Sequence, residues 1–295
     1  MFNVIGIGEI LWDLLPGGKT PGGAPANFAY VANALGDRGL VLSRVGDDPL
    51  GNALARELES KNLARDFLQI DPANPTGVVK VRFENDQPRY EIVAPSAWDF
   101  LELSAGWRAL AARADAVCFG SLAQRSPVSR AAILEFVGLT RGLRIFDVNL
   151  RQDFYSPEIL RKSFEAAHVA KLNDEELPIV AGMFDIKKPD AVETARALRA
   201  KFDLRLISVT RGASGSLLVT DEDVSENEGL KTKVADPIGA GDAFTAALAH
   251  GLLRGRKLDK TNEFANRVGA FVASRAGAMP AFPAELAPNE HEISR

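Results

Sequence analysis

The chain has 295 residues, 46% hydrophobic and 25% charged, which is ordinary globular usage and room for one large α/β domain. Thirty-five Lys and Arg stand against 39 Asp and Glu, a formal charge of −4 with no basic block, which argues against nucleic-acid binding. The single cysteine, Cys118, excludes an intrachain disulfide and a cysteine-based metal site, and no apolar run reaches membrane-spanning length.

The N-terminus lacks a basic start and a long apolar core, so a soluble cytoplasmic protein is expected. Residues 2–8 read as a buried first strand ending in Gly6-Ile7-Gly8. A dinucleotide fingerprint fails there, because Leu11 stands where its third glycine belongs. Pro16-Gly17-Gly18 marks a turn, and Gly22-Gly23 precedes Pro25 and a helix-period run through Phe28, Val31, Ala32 and Leu35. Residues 40–45 form another apolar strand, and Gly46-Asp47-Asp48-Pro49-Leu50-Gly51 opens a helix to about Lys61. Two β-rich runs, 76–83 and 89–93, flank Glu84-Asn85-Asp86-Gln87-Pro88, a hairpin signal. The hairpin breaks an otherwise alternating βα pattern, so it is assigned to a lid built from about 10–22 and 77–98. Trp98 supplies the lid's aromatic edge or packs in the core.

From residue 115 the rhythm is regular. Strands are expected at 115–119, 143–147, 168–172 and 204–210, with helices at 126–140, 156–166, 174–181 and 189–201. That order predicts a mostly parallel sheet with helices on both faces and ligands at the strands' carboxyl ends. No repeat or linker appears, so residues 1–295 are read as one domain carrying the lid.

The chemistry centres on Asp236-Pro237-Ile238-Gly239-Ala240-Gly241-Asp242. Pro237 biases Asp236 away from helix, and two glycines permit a tight turn and close approach to a ligand. A helix follows, so the N–H groups of Gly239, Ala240 and Gly241 offer a site for an anion, most naturally a phosphate in transfer. Asp242, in the first turn, is placed to take a proton from an attacking hydroxyl. Aspartate is favoured at helix starts in any case, but the flanking glycines make that reading the weaker one.

Other candidates lie at strand ends. Asp147, Asn149 and Arg151 would face one side of an extended segment, with Arg151 bringing a fixed charge. Asn173 and Glu176, three apart at a helix start, share a face, and Glu176 also complements the helix dipole. Thr210-Arg211-Gly212-Ala213-Ser214-Gly215 follows a strand with two glycines, while no phosphate-loop lysine motif occurs anywhere. His168, His250 and His291 pair with no nucleophile and show no metal spacing.

The 236–242 stretch resembles the D-T-x-G-A-G-D signature of the ribokinase-like (PfkB) carbohydrate kinases, although the signature's threonine is missing. Gly22, Gly23 and Asn27 resemble that family's sugar-binding G-G-x-x-x-N, and 146–151 resembles its fructokinase branch. The resemblance implies a ribokinase-like three-layer α/β/α fold and phosphoryl transfer from ATP to a sugar hydroxyl. Asp242 would be the base, Gly239, Ala240 and Gly241 the anion hole, and Arg151 a catalytic cation. Asp13, Gly22, Gly23, Asn27, Asn149 and Trp98 would bind the sugar. Asn173, Glu176, Thr210, Gly212, Gly215 and Asn266 would serve the nucleotide, with Glu176 holding Mg²⁺ through water. Asn266 borders the adenine or is a surface residue. A K⁺ ion would take backbone carbonyls from Asp236, Ile238, Val272, Arg275, Gly277 and Ala281. The expected substrate is fructose, with 2-keto-3-deoxygluconate, ribose or a nucleoside as alternatives. A homodimer would form through the lid. From another class, a non-catalytic sugar-binding regulator would require loss of the base or the anion hole, and both are present.

Overall fold

The computed structural model describes residues 1–15, 17–84, 87–283 and 286, without the side chains of 81–90. Pro16, Asn85, Asp86 and His291 lie outside the described residues. The chain opens with β1 (Asn3–Ile7), then a hairpin of β2 (Leu11–Leu15) and β3 (Gly18–Gly22), then α1 (Ala24–Ala34). Next come β4 (Arg38–Gly46), α2 (Pro49–Ser60), β5 (Leu68–Asp71) and a second hairpin, β6 (Gly77–Glu84) and β7 (Gln87–Ile92). The βα rhythm resumes with α3 (Ala105–Ala111), β8 (Ala116–Gly120), α4 (Pro127–Leu139), β9 (Leu143–Asp147) and α5 (Pro157–Ala166). It continues through β10 (Val169–Asn173), α6 (Glu176–Met183), α7 (Ala191–Lys201) and β11 (Leu206–Thr210). The described chain then forms β12 (Ser216–Val219), β13 (Val224–Asn227), α8 (Ala240–Leu253) and α9 (Leu258–Ala273).

Nine of these strands make one sheet in the order β13-β12-β11-β10-β9-β8-β1-β4-β5. Every pairing from β11 to β5 is parallel. The β12–β13 ribbon adds an antiparallel edge that the sequence reading lacked. Its four-residue apolar run, Ser-Leu-Leu-Val, is too short for periodicity to separate strand from helix. From β1 the chain moves to β4 on one side, and β8 later pairs on the other. A crevice therefore opens at the carboxyl ends of β1 and β8, where such sheets bind ligands.

A second sheet of four strands, β3-β2-β6-β7, grows from the segments after β1 and β5. Parallel pairing of β2 with β6 joins the two hairpins, so segment 10–22 contributes two strands.

Two apolar layers sandwich the main sheet. On one face Phe119, Phe146, Phe164, Phe184 and Phe202 form a chain of ring contacts with centroids 4.9–6.0 Å apart. Each buried ring of this kind contributes about 1.5–3 kcal/mol. On the other face α1, α8 and α9 pack through Phe28, Val31, Phe244, Leu248, Phe264 and Val268. Among the described residues no helix is long and apolar enough to cross a membrane.

The α1–α8 layer is tied at its far end by Asp37. Its carboxylate accepts from Arg254 at 2.8 and 2.9 Å, from His250 Nδ1 at 2.9 Å and from the Phe2 N–H at 3.1 Å. Burial opposes the charge, but the His250 and Arg254 hydrogen bonds win and hold the Asp37 pKa well below the usual range. Asp37→Ala leaves Arg254 without its counter-ion, and breaking such a pair costs about 3–5 kcal/mol. A denaturant titration should show that loss, and a change below about 1 kcal/mol would contradict the role given to the tie.

Candidate active site

The turn into α8 is constrained from both sides. Gly239 has φ 79°, and a Cβ on it would come within 2.5 Å of the Ala278 side chain. Both facts demand glycine. Asp236 accepts from the Ile238 N–H at 3.0 Å and from the Gly277 N–H at 3.1 Å, which pins the turn to the loop after α9. No side chain caps α8, so its first turn keeps the positive end of the dipole open to a ligand.

Asp242 stands in that first turn, half-buried, and its Oδ2 accepts from Asn27 Nδ2 at 2.7 Å. Asn27 lies on α1, whose N-cap is Gly23. Gly23 has φ 120°, and a Cβ there would sit 2.6 Å from the Glu9 carbonyl. At Gly22 a Cβ would meet Asp13 Oδ2 at 2.6 Å. Asp13, Gly22, Gly23, Asn27 and Asp242 thus converge above β1. Glu9, just past β1 and 3% exposed, joins them. A cavity of about 10 Å³ beneath is lined by Pro25, Phe28, Cys118, Phe119, Asn149 and Asp242, among others, and has room for about one water.

The acids titrate unusually. Burial, reinforced by Asp147, pushes the Asp242 carboxyl up to about 6 against the pull of Asn27, Lys171 and Arg151. Burial lifts Glu9 to about 7, with Asp242 adding and Arg151 opposing. Asp13 is raised by burial, again opposed by Arg151. Two buried acceptors here, Glu9 Oε2 and Asn27 Oδ1, have no hydrogen-bond partner. Partnerless buried acceptors call for donors, and hydroxyl groups supply them.

Beyond β9 the sequence expectation changes. Asn149 has φ 43°, so the segment turns and Asp147, Asn149 and Arg151 do not share an extended face. Asp147 points into the protein, 3% exposed, paired with Lys171 at 3.1 Å and accepting from the Thr245 hydroxyl at 3.0 Å. Asn149 lines the cavity beside Asp242, and exposed Arg151 lends its field to Glu9, Asp13 and Asp242.

On the other flank, Asn173 and Glu176 cap each other. Asn173 Oδ1 accepts from the Glu176 N–H at 2.7 Å, and Glu176 Oε2 accepts from the Asn173 N–H at 2.9 Å. Glu176 Oε1 also accepts from the Leu150 N–H at 2.8 Å, tying this helix start to the Arg151 loop. Each oxygen accepts one of these hydrogen bonds, which leaves Glu176 lone pairs that suit a metal-bound water. Among the described residues no group of three or more His, Cys, Asp or Glu could hold a metal ion by itself. Thr210 ends β11, Gly212 turns with φ 55°, and Gly215 has φ 83° with a would-be Cβ 1.9 Å from the Asn227 carbonyl.

The glycine turn into α8, Asp242, the partnerless acceptors and the glycine loop after β11 thus lie along one edge of the sheet. The sequence profile of the pfkB family carbohydrate kinases matches residues 17–285. The chain belongs to that family. It is therefore an ATP-dependent carbohydrate kinase. A fructokinase of Klebsiella pneumoniae is 33% identical, over 94% of this chain and 95% of that protein. The structure of Vibrio cholerae O395 fructokinase, described with fructose, ADP and calcium, superposes with TM-score 0.81 at 27% identity, covering 99% and 98%. A double mutant of that enzyme is described with fructose, ADP and potassium, at TM-score 0.79 and 27% identity, covering 99% and 97%. Aminoimidazole riboside kinase of Salmonella enterica, with its riboside and an ATP analogue, gives TM-score 0.77 at 25% identity, covering 99% and 98%.

For two residues of the kinase the structure decides between the alternatives or removes one. Trp98 is 0% exposed, with the Arg125 guanidinium 3.9 Å from its ring and Gly77 pressed against its indole nitrogen. It is core packing and has no surface to offer a sugar. Asn266 is buried, donating to Ser216 Oγ at 2.7 Å and to Asn262 at 2.8 and 3.0 Å. Its amide nitrogen binds α9 to β12, so Asn266 is not a surface group. Two residues were missed. Glu9 had a signal in its place at the carboxyl end of β1, and Lys171 in being a lysine inside the apolar strand Val-Ala-Lys-Leu.

A base must be deprotonated to accept a proton, so kcat/KM should fall as pH drops through about 6, the Asp242 value, and level off above it. Asp242→Asn keeps the size, removes the basicity and should lower kcat by about 10²–10⁴-fold. Steady-state rates across pH check both. Near wild-type turnover in Asp242→Asn would remove it as the base.

Proposed function

We propose that this kinase phosphorylates D-fructose at the 6-hydroxyl, giving fructose 6-phosphate. The observation that carries the reading is the pair of partnerless acceptors, Glu9 Oε2 and Asn27 Oδ1, beside Asp242. They suit a neutral polyhydroxy acceptor. Glu9, Asp13 and Asp242 outnumber Arg151, which disfavours a carboxylated sugar such as 2-keto-3-deoxygluconate. The fructokinase relatives support the same choice.

In the proposed reaction Asp13, Asn27 and Asn149 hold sugar hydroxyls, and Gly22 and Gly23 let the backbone come close. Asp242 takes the proton of the attacking hydroxyl. The N–H groups of Gly239 and Gly241 face the γ-phosphoryl group, with Arg151 adding positive charge as it transfers, while the Ala240 N–H is held by the Pro237 carbonyl at 3.3 Å and must leave it to join them. Thr210, Gly212 and Gly215 form the nucleotide loop. Glu176 would reach a Mg²⁺ bound with ATP through water, and that ion would neutralise phosphate charge. The Asp236 tie between two loops supports a K⁺ site drawn from the carbonyls of Asp236, Ile238, Val272, Arg275, Gly277 and Ala281.

The four-stranded sheet is proposed to act as a lid on one domain, closing over sugar and excluding water. Crystals with and without sugar should show 77–84 and 87–92 displaced relative to the main sheet. Identical placement would sink the lid.

For the substrate, coupled ADP detection should rank fructose above ribose, 2-keto-3-deoxygluconate and adenosine in kcat/KM. Any of these three in first place refutes the fructose assignment. Asp13→Ala should raise KM for sugar far more than KM for ATP, because sites built for hydroxyls discriminate by roughly 10⁴-fold. Equal losses for both substrates would show that Asp13 does not belong to the sugar half of the cleft.

A further inference from the structure

Lys171 lies in the middle of β10 and is only 6% exposed. A buried ammonium is costly unless paired. Its Nζ lies 3.1 Å from Asp147 Oδ1 on β9, and Asp147 Oδ2 in turn accepts from the Thr245 hydroxyl of α8 at 3.0 Å. The Gly241 carbonyl, 2.9 Å from the same hydroxyl, shares its single proton with Asp147. The ammonium therefore reaches the first turn of α8 through two hydrogen-bonded side chains.

It also reaches that turn directly. A Cβ on Gly241 would stand 3.0 Å from Lys171 Nζ and 3.9 Å from its Cε. Gly241 is not among the glycines with positive φ, so backbone conformation does not demand glycine there. A side chain there would press on the Lys171 ammonium and push it back by a few tenths of an ångström.

The charges around this point are unbalanced. Facing Asp242 are Asp147 from β9, Glu9 from the end of β1, Cys118 from β8, Arg151 from the loop after β9 and Lys171. Facing Lys171 are Asp147, Glu176 at the start of α6, and Asp242. Burial pulls the lysine pKa down, but Asp147, Glu176 and Asp242 outweigh it and leave it raised, so the group stays charged. Of the two cations near Asp242, Arg151 is exposed and Lys171 is buried. A buried charge acts through a lower dielectric and is less screened by salt.

We propose that Lys171 is a positioning residue for phosphoryl transfer: its ammonium braces the Gly241 turn from behind and supplies the buried positive charge that keeps Asp242 ionised. The inference rests on Asp242 being the base of the kinase. It also gives the second glycine of the turn a cause that turn geometry does not.

The test is Lys171→Met, which keeps length and removes charge. The acid limb of kcat/KM should move up by about one pH unit, with rates falling about fivefold at the old midpoint, about tenfold well below it, and recovering at higher pH. A uniform loss at every pH, with the limb in place, would make Lys171 a packing residue and overturn the proposal. Should the single variant fail to fold because Asp147 is left unpaired, Asp147→Asn and the double variant Asp147→Asn/Lys171→Met differ only at position 171. The double must then show the higher limb, and equal limbs overturn the proposal. Titration of the Asp242 carboxyl by ¹³C NMR, in wild type and variants of the full chain, reads the same effect without turnover. A midpoint that stays put overturns the role of Lys171 alone. A midpoint that rises while the rate limb does not overturns Asp242 as the base, and the proposal with it.

Discussion

One hydrogen bond joins the two halves of this active site. Asn27 Nδ2 meets Asp242 Oδ2 at 2.7 Å across a sequence separation of 215 residues. It requires α1 and α8 to lie side by side with their N-termini at the same end of the sheet. α1 takes this place as part of the crossover from β1 to β4, and α8, entered after the antiparallel β12–β13 edge, packs against it through the shared apolar layer. Gly6 allows α1 to come close enough: a Cβ on it would lie 2.1 Å from the Pro25 carbonyl. The Asp37 tie at the far end of the same layer keeps the helices from splaying. The Asn27 side and the Asp242 side of the site are thus one packing unit.

That unit concentrates acid. Asp147, Glu176, Glu9 and Asp242 all influence one another or the lysine among them. Burial, with the like charge of Asp147 behind it, disfavours ionisation and lifts Asp242 to about 6, a value suited to accepting a proton near neutral pH. The hydrogen bonds divide the four between two tasks. Asp147 and Glu176 are bonded to lysine, hydroxyl or backbone groups and hold elements together. Glu9 keeps an oxygen without a partner, and Asp242 keeps its place at the open helix end.

Most of the fold was legible from the chain. The strand at 143–147 and the alternation from 115 to 210 are where periodicity placed them, because each buried parallel strand is a short apolar run and each helix carries a start signal. The Asp236–Asp242 stretch and the Gly22-Gly23-Asn27 cluster were legible because turn chemistry and helix starts are local. What resisted was non-local. No spacing says that Lys171 abuts Gly241, that Asn266 faces Ser216, or that Trp98 lies beneath Arg125. The Asp147–Arg151 segment misled because alternation assumes extension, and Asn149 turns with a left-handed φ.

The glycines carry the same lesson at finer grain. Gly239 combines positive φ with contact against Ala278, whereas Gly212 has positive φ and empty space around it. Gly215 adds a backbone wall at Asn227 to its positive φ, and Gly241 has only the lysine ammonium. One letter therefore stands for separate constraints, and they fail differently. A side chain at 215 must move β13 itself. At 212 it would strain only the local backbone, by the order of 1–2 kcal/mol. At 241 it would displace a charge, and the damage would fall on ionisation before it fell on shape. A signature of this kind records the letters that several unrelated forces permit, which is why its chemistry becomes readable only when the neighbours of each glycine are known.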